Sequence, residues 1–248
     1  MEKELRAIVL AAGKGTRFVT EGEALPKVMR RALGRPVLSY VLDALDFMPK
    51  KSVTLVVGYL REKVMEAFPE YSFAVQAEQL GTGHAALCAR EALEGFDGDV
   101  LIAAGDMPLI GRETYEALIR THRESGNDCT VLTGYMDDPG SFGRVLRAAD
   151  GSFQCIVEAK DCTPEQYAIR EVNSAIYVFR AEKLLPALLQ LKSENAQHEY
   201  YLTDAPDIIL RDGGKVGISD AWRFEDMTGV NTPADLKKVE ESLTARGL

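Results

Sequence analysis

The sequence predicts an α/β fold built on a mainly parallel sheet. Short apolar runs rich in Val, Ile, Leu and Ala alternate with segments whose apolar residues recur at helical spacing, the pattern of βαβ units. The apolar runs near residues 10, 57 and 104 each give way to glycine, as strands do where a loop begins. The 248 residues are 46% hydrophobic and 27% charged, ordinary for a globular chain, and can bury roughly three-quarters of the unfolded surface. No linker rich in Gly, Ser or Pro, no charge block and no internal repeat interrupts them.

Taken in order, Ala7–Leu10 is expected as a buried strand that feeds the glycine loop Ala11–Gly13. Pro36–Leu45 carries a helical pattern, Ser52–Val57 is a β-branched run stopped by Gly58, Arg61–Phe68 reads as a helix and Phe73–Gln76 as a short strand. Thr82–Leu93 is Ala-rich with helical spacing, Val100–Ala104 is an apolar strand, Arg112–Glu124 is a helix and Cys129–Thr133 a strand. After Asp137 the rhythm changes. Gly143–Arg147, Phe153–Val157 and Val172–Phe179 read as strands, an antiparallel or mixed region laid against the parallel sheet. Helical pattern returns at Glu182–Leu191, around Tyr201–Leu210, and at Pro233–Leu243, where Pro233 suits a first helical position.

Lys and Arg number 29 against 38 Asp and Glu, a formal charge of −9. That balance argues against nucleic acid as the main partner, while leaving room for a small phosphorylated ligand held by a few local cations. No run approaches the ~18 apolar residues of a membrane span. The charged start Met1–Arg6 runs straight into a strand, unlike a signal peptide. Cys88, Cys129, Cys155 and Cys162 lack metal-type spacing and read as reduced residues of a cytoplasmic protein.

Several segments carry chemistry. Leu10-Ala11-Ala12-Gly13-Lys14-Gly15-Thr16-Arg17 follows the first strand. It is either an ordinary glycine turn or a cradle in which backbone N–H groups meet phosphate oxygens. It matches neither the Walker spacing nor the dinucleotide fingerprint. Lys27, after Pro26, is a surface cation unless the fold brings it to that loop. Gln76 and Gln79 end a strand, and amides pair with the donor and acceptor edge of a base. Gly81 would let a flat ring sit close. Thr82 reads as the cap of the helix that follows, and His84 as a structural residue in its first turn. Asp106, after Gly105 at the carboxyl end of an apolar strand, stands where open α/β sheets bind ligands and suits Mg²⁺. Glu158, Lys160, Asn173, Glu199, Tyr200, Tyr201, Thr203 and Asp204 form a scattered polar set. Asn173 needs a partner, either a sugar hydroxyl or the backbone. Asn231 is either a helix cap or a second metal ligand.

In sequence order, the segments at 10–17, Pro26-Lys27, Gln76–His84, Gly105–Leu109, Ile156–Asp161, Glu199–Asp204 and Gly229–Asn231 closely resemble the sugar-1-phosphate nucleotidyltransferases. Among these the chain looks most like the N-acetylglucosamine-1-phosphate uridyltransferase domain of GlmU. The resemblance implies a Rossmann-like fold, a mixed and mainly parallel sheet with helices on both faces. It implies that UTP and N-acetylglucosamine 1-phosphate give pyrophosphate and UDP-N-acetylglucosamine, a cell-wall precursor. Small molecules would be the partners, with no nucleic acid and no membrane. It implies that Leu10, Ala11, Ala12, Gly13, Lys14, Gln76, Gln79, Gly81, Thr82, Ala104 and Gly105 hold the nucleotide. Arg17, Lys27 and Asp106 would be catalytic, and Asp106 and Asn231 would hold Mg²⁺. Gly143, Glu158, Asn173, Tyr201 and Thr203 would line the sugar side. The attacking oxygen of a sugar phosphate is already anionic, so three histidines and no Ser/His/Asp signature suit this chemistry.

Four features depart from the family. The loop Phe18–Leu25 is longer and starts with Phe for Met. Ser141, Ala175 and His198 each stand where the family has Gly. Uracil recognition is therefore better matched than the sugar, and another sugar 1-phosphate, dTTP or CTP as donor, or a non-catalytic nucleotide-sugar-binding protein stays open. The chain reads as one nucleotidyltransferase domain. Its nucleotide half covers about 1–136, its sugar half about 137–230, and a C-terminal helix 232–246. It shows no hexapeptide repeat of a left-handed β-helix acetyltransferase domain. Oligomeric state is not legible.

Overall fold

In the first strand, β1 (Leu5–Leu10), Ala7 and Val9 enter one apolar layer and Ile8 the opposite one, all fully buried. A strand covered on both faces has to be apolar throughout, which is why it carries no polar alternation. The computed structural model describes residues 3–18, 24–220 and 224–248. After β1 come the short hairpin β2 (Arg31–Ala32) and β3 (Arg35–Pro36), α1 (Val37–Ala44), β4 (Val53–Val57), α2 (Arg61–Ala67), β5 (Ser72–Val75), α3 (Thr82–Cys88), β6 (Asp99–Ala104), α4 (Arg112–Ser125) and β7 (Cys129–Tyr135). The second half adds β8 (Arg144–Arg147), β9 (Phe153–Val157), α5 (Pro164–Tyr167), β10 (Glu171–Arg180), α6 (Ala181–Leu189), α7 (Asp204–Arg211), β11 (Val216–Asp220) and α8 (Pro233–Ala245).

The main sheet runs β11-β7-β10-β6-β1-β4-β5, with β8 and β9 as a hairpin joined to β10 through Val172 opposite Arg144. Along that path β10 alone is antiparallel to its neighbours. The sheet is mixed and mainly parallel, as the alternation predicts. Residues of α3, α6 and α7 pack on the face of Ile8 and Ile102, and residues of α1, α2 and α4 on the face of Val9 and Leu101. A third cluster joins Phe18, Ala32 and Tyr40 to Val230, Val239 and Leu243, and so seats α8.

Besides the short β2, β3 and α5, which the sequence reading lacks, the structure differs from it in four places. The antiparallel strand is not laid against the parallel sheet. β10 is inserted within it, between β6 and β7, and supplies Tyr177 and Phe179 to one core face and Val178 to the other. The helix expected over Thr82–Leu93 ends at Cys88, and a separate 3₁₀ turn, Arg90–Ala92, follows. The helix expected around Tyr201–Leu210 begins only at Asp204. The sequence reading has no strand at β11, because Val216 and Ile218, alternating with Gly217 and Ser219, are only two apolar positions; pairing with β7 makes the segment a strand. All four cysteines are free. Among the described residues no helix is long and apolar enough to cross a membrane. Met1, Glu2 and residues 19–23 of the long loop lie outside the described residues.

Candidate active site

The carboxyl ends of β1, β4 and β6 open onto a cleft, the position at which open α/β sheets take ligands. Two cavities adjoin there. The first, about 350 Å³, is lined by Leu10, Ala12, Gly13, Lys27, Gln76, Gln79, Gly81 and Thr82. The second, about 190 Å³, is lined by Ser141, Gly143, Glu158, Asn173 and Asn231. Ala104, Asp106 and Ala175 belong to the walls of both. Ala11 and Gly105 stand behind the wall as backbone fixtures: Ala11 N donates to Val56 O at 2.9 Å and Gly105 N to Leu10 O at 2.9 Å. Lys14 is exposed and borders neither cavity. Val28, Ala85, Met107 and Phe142 also line the cavities. Apolar residues in such patterns carry no sequence signal that separates them from core.

The fold settles the position of Lys27. Its backbone N donates to Gly13 O at 3.3 Å, so it lies against the glycine loop. Its ammonium pairs with the Asp106 carboxylate and donates to Asn231 Oδ1 at 2.7 Å. Arg17 Nη2 donates to the same Asn231 oxygen at 2.8 Å. Asn231 is not the cap of α8. Thr232 is, through a capping box with Asp235. The Asn231 amide is left to the site, with its nitrogen on Gly229 O at 3.3 Å. Asp106 and Asn231 thus each turn an oxygen toward Lys27, and the Asn231 oxygen is shared with Arg17. Such a hard-oxygen pair fits Mg²⁺, which takes one or two protein oxygens and completes its shell with phosphate oxygens and water. Among the described residues no group of three or more His, Cys, Asp or Glu forms a closed metal cage.

At the other end of the first cavity Gln76 is buried, and its amide nitrogen donates to Gly81 O at 3.0 Å and meets His84 Nδ1 at 3.1 Å. Thr82 does not cap α3. Gly81 holds the cap position without a side-chain bond, and Thr82 Oγ1 accepts from Leu202 N at 3.1 Å. The reason is a zipper between two distant segments. Tyr200 N donates to Leu80 O and Gly83 N to Tyr200 O, both at 2.8 Å. Gly81 has φ 108° and ψ 174°, and a Cβ built on it would fall 2.6 Å from Tyr200 O. The glycine is required by this backbone approach.

In the second cavity Asn173 finds its partners inside the chain. Nδ2 donates to the buried Tyr177 hydroxyl at 2.7 Å, and Oδ1 accepts from Ala175 N at 3.1 Å, across a bulge where β10 shifts register against β7. Thr203 and Tyr201 are buried and border neither cavity. Thr203 donates to Glu158 Oε1 at 3.1 Å. The Tyr201 hydroxyl donates to Asp161 at 3.2 Å and accepts from Gln197 at 2.9 Å. Burial pushes that hydroxyl up to about 12. Burial raises the Glu158 carboxyl too; the Thr203 hydrogen bond opposes this, and Asp204, Asp161 and Glu199 reinforce it. Asp204 is raised to about 6 by burial, then by Asp207 and Asp161, against Arg211. Lys160 is exposed and donates to Gln197 at 2.7 Å. Ala175 and His198, two of the departures from the family, have φ 59° and 55°. These are left-handed backbone positions, which glycine occupies without strain.

A sequence profile of the MobA-like NTP transferase domain matches residues 7–203. The chain belongs to that family. Proteins named bifunctional protein GlmU from Clostridium perfringens and Pelotomaculum thermopropionicum are each 43% identical to it, over 244 and 246 residues. The matches cover 97% and 99% of this chain and 52% and 53% of those proteins, so the chain spans about half the length of the curated relatives it matches. Among solved structures, a protein from Bacillus anthracis assigned as a glucose-1-phosphate thymidylyltransferase superposes with a TM-score of 0.76 at 17% identity, covering 96% of this chain and 95% of that one. HddC from Yersinia pseudotuberculosis gives 0.68 at 18% identity, over 96% of this chain and 99% of that one. Both share the Rossmann-like nucleotidyltransferase architecture.

Proposed function

We propose that the chain transfers a uridylyl group from UTP to N-acetylglucosamine 1-phosphate. The observation that carries this reading is the junction of the two cavities at Asp106, with Lys27, Asn231 and Arg17 gathered beside it. The cavity holding Gln76 and Gly81 takes the nucleoside, and the one holding Glu158 and Asn173 takes the sugar. Their phosphates then meet at the cations. An anionic oxygen of the sugar phosphate attacks the α-phosphorus of UTP. A new P–O bond forms as the bond to pyrophosphate breaks, and no general base is needed. Alignment in adjoining cavities removes the entropy of encounter. Lys27 and Arg17 offset the charge that builds on the departing pyrophosphate. Mg²⁺ held by Asp106 and Asn231 would supply further neutralisation of the phosphate oxygens.

On this reading residues 1–248 act as one nucleotidyltransferase unit, with its nucleotide half over about 1–136, its sugar half over about 137–230 and the C-terminal helix closing one side. The reduced cysteines suit a cytoplasmic enzyme whose partners are small molecules. A second reading keeps the chemistry and changes the acceptor sugar. It draws on Ala175 and Ser141, which put a methyl and a hydroxyl group into the wall of the second cavity where the family has glycine. Pyrophosphate release tests both readings. With Mg²⁺, UTP and N-acetylglucosamine 1-phosphate we expect turnover that exceeds that with glucose 1-phosphate, dTTP or CTP. A preference for another pair would select the second reading. No release with any sugar phosphate would leave a nucleotide-sugar-binding protein.

A further inference from the structure

The amide of Gln76 has one possible orientation. Gly81 O can only accept, and it lies 3.0 Å from one terminal atom of the Gln76 side chain, so that atom is the nitrogen. The same nitrogen lies 3.1 Å from His84 Nδ1. Its two protons are therefore both used, and Nδ1 must carry a lone pair. His84 is then neutral with its proton on Nε2, which faces the weak acceptor Cys88 Sγ at 3.8 Å. The remaining polar atom, Gln76 Oε1, receives no hydrogen bond among the described residues, and Gln76 borders the first cavity.

We infer that His84 is a positioning residue that holds Gln76 as an obligate hydrogen-bond acceptor toward the nucleotide base. A base that brings a ring N–H to that acceptor, as uracil does at N3, satisfies it. Cytosine brings a lone pair at the same ring atom, and two acceptors facing each other leave both unpaired. The selection rests on the nucleotide-transfer reading of the first cavity. It does not depend on the identity of the sugar. If the His84 ring were lost, the Gly81 O bond alone would hold the amide against turning over to offer its N–H₂, and the preference for uracil would weaken.

The test compares His84→Leu, which has no acceptor, with His84→Asn, whose Oδ1 can take the place of Nδ1. UTP and CTP binding is measured by calorimetry without sugar phosphate, alongside KM and kcat for UTP. We expect His84→Leu to raise the UTP KM and Kd about tenfold with kcat within about threefold, and to narrow the UTP-over-CTP preference by a similar factor. His84→Asn should stay near the parent. Equal losses in both variants, or an unchanged UTP-over-CTP ratio in His84→Leu, would overturn the proposal and leave His84 a packing residue. A parent protein that binds UTP over CTP without turnover sinks the transfer reading alone. One that binds neither sinks both. Should His84→Leu not fold, the ¹⁵N resonances of the parent decide. A protonated Nε2 and bare Nδ1, identified by their loss in His84→Asn, are expected, and an Nδ1–H tautomer would refute the assignment.

Discussion

Replacing Gly81 by Ala should be among the most damaging single-methyl changes in the molecule. At φ 108° and ψ 174° Gly81 occupies a region nearly closed to residues with a Cβ, which costs on the order of 1–3 kcal/mol. The new Cβ would also lie 2.6 Å from Tyr200 O, 2.9 Å from Tyr200 N and 2.9 Å from the Glu199 Cβ. Two of those atoms are backbone, so no flexible side chain can yield. The segment 199–202 would have to move away from 80–83, breaking Tyr200 N to Leu80 O, Gly83 N to Tyr200 O and Leu202 N to Thr82 Oγ1. At about 1 kcal/mol each, these add about 3 kcal/mol, for a total of about 4–6 kcal/mol. Gly95→Ala is the control: φ is 68° and nothing lies within 4 Å of the added atom. Its cost is the backbone alone, about 1 kcal/mol after the entropy an alanine removes from the unfolded chain. Urea denaturation of the parent and both variants measures the difference. A Gly81→Ala protein within about 1 kcal/mol of Gly95→Ala would show that the close approach of the two segments does not govern this position.

Asp106→Ala should lower pyrophosphate release by orders of magnitude and keep the parent's far-UV circular dichroism, since Asp106 is part-exposed and its partners are site residues; equal activity across a Mg²⁺ titration would refute its role. The half-buried Asp204 carboxyl holds its proton up to about 6 in the folded state, against 3.8 ordinarily. The folded state therefore binds more protons between these values, and stability from this group is full at about pH 4 and is lost as pH rises through about 6. Asp204→Asn should gain about 1–2 kcal/mol relative to the parent between about pH 4 and 7, after discounting for exposure, and a pH-independent difference in denaturation midpoint would contradict the shift. Ala175→Gly and His198→Gly relieve left-handed backbone at φ 59° and 55°. Each should raise stability by about 0.5–1 kcal/mol, the left-handed cost less the added freedom of an unfolded glycine. Loss of stability in the exposed His198→Gly would refute this account.

The elements that were legible are those whose signal is local. Ala7–Leu10 and Val100–Ala104 are apolar at every position because both faces are covered, and that continuity is written in the chain. Pro233 with Thr232 before it marks the start of α8 for the same local reason, although by its own chemistry Asn231 reads first as the cap of that helix, a place that Thr232 takes. The candidate site residues were legible as types in a recognisable order: amides after a strand, a carboxylate after another, cations in a glycine loop.

Distance was not legible. Lys27 reads as a surface cation until the loop returns it to Gly13 and Asp106. Tyr201 and Thr203 read as site residues, yet they stand behind the wall and hold Asp161 and Glu158. Gln76–His84 and Glu199–Asp204 are the two most specific segments, and nothing in either announces that their backbones bond to each other. The sequence by itself determined the local elements, the two-sided core and the residue types of the site, because hydrophobic period and backbone preference act over a few residues. Only the tertiary structure decided the insertion of β10, the strand at β11, the left-handed need at 175 and 198, and which polar atoms are already committed. Most of those depend on pairings between residues far apart in the chain, such as Tyr177 with Ile102, Val216 with Cys129, Leu202 with Thr82 and Asn231 with Lys27.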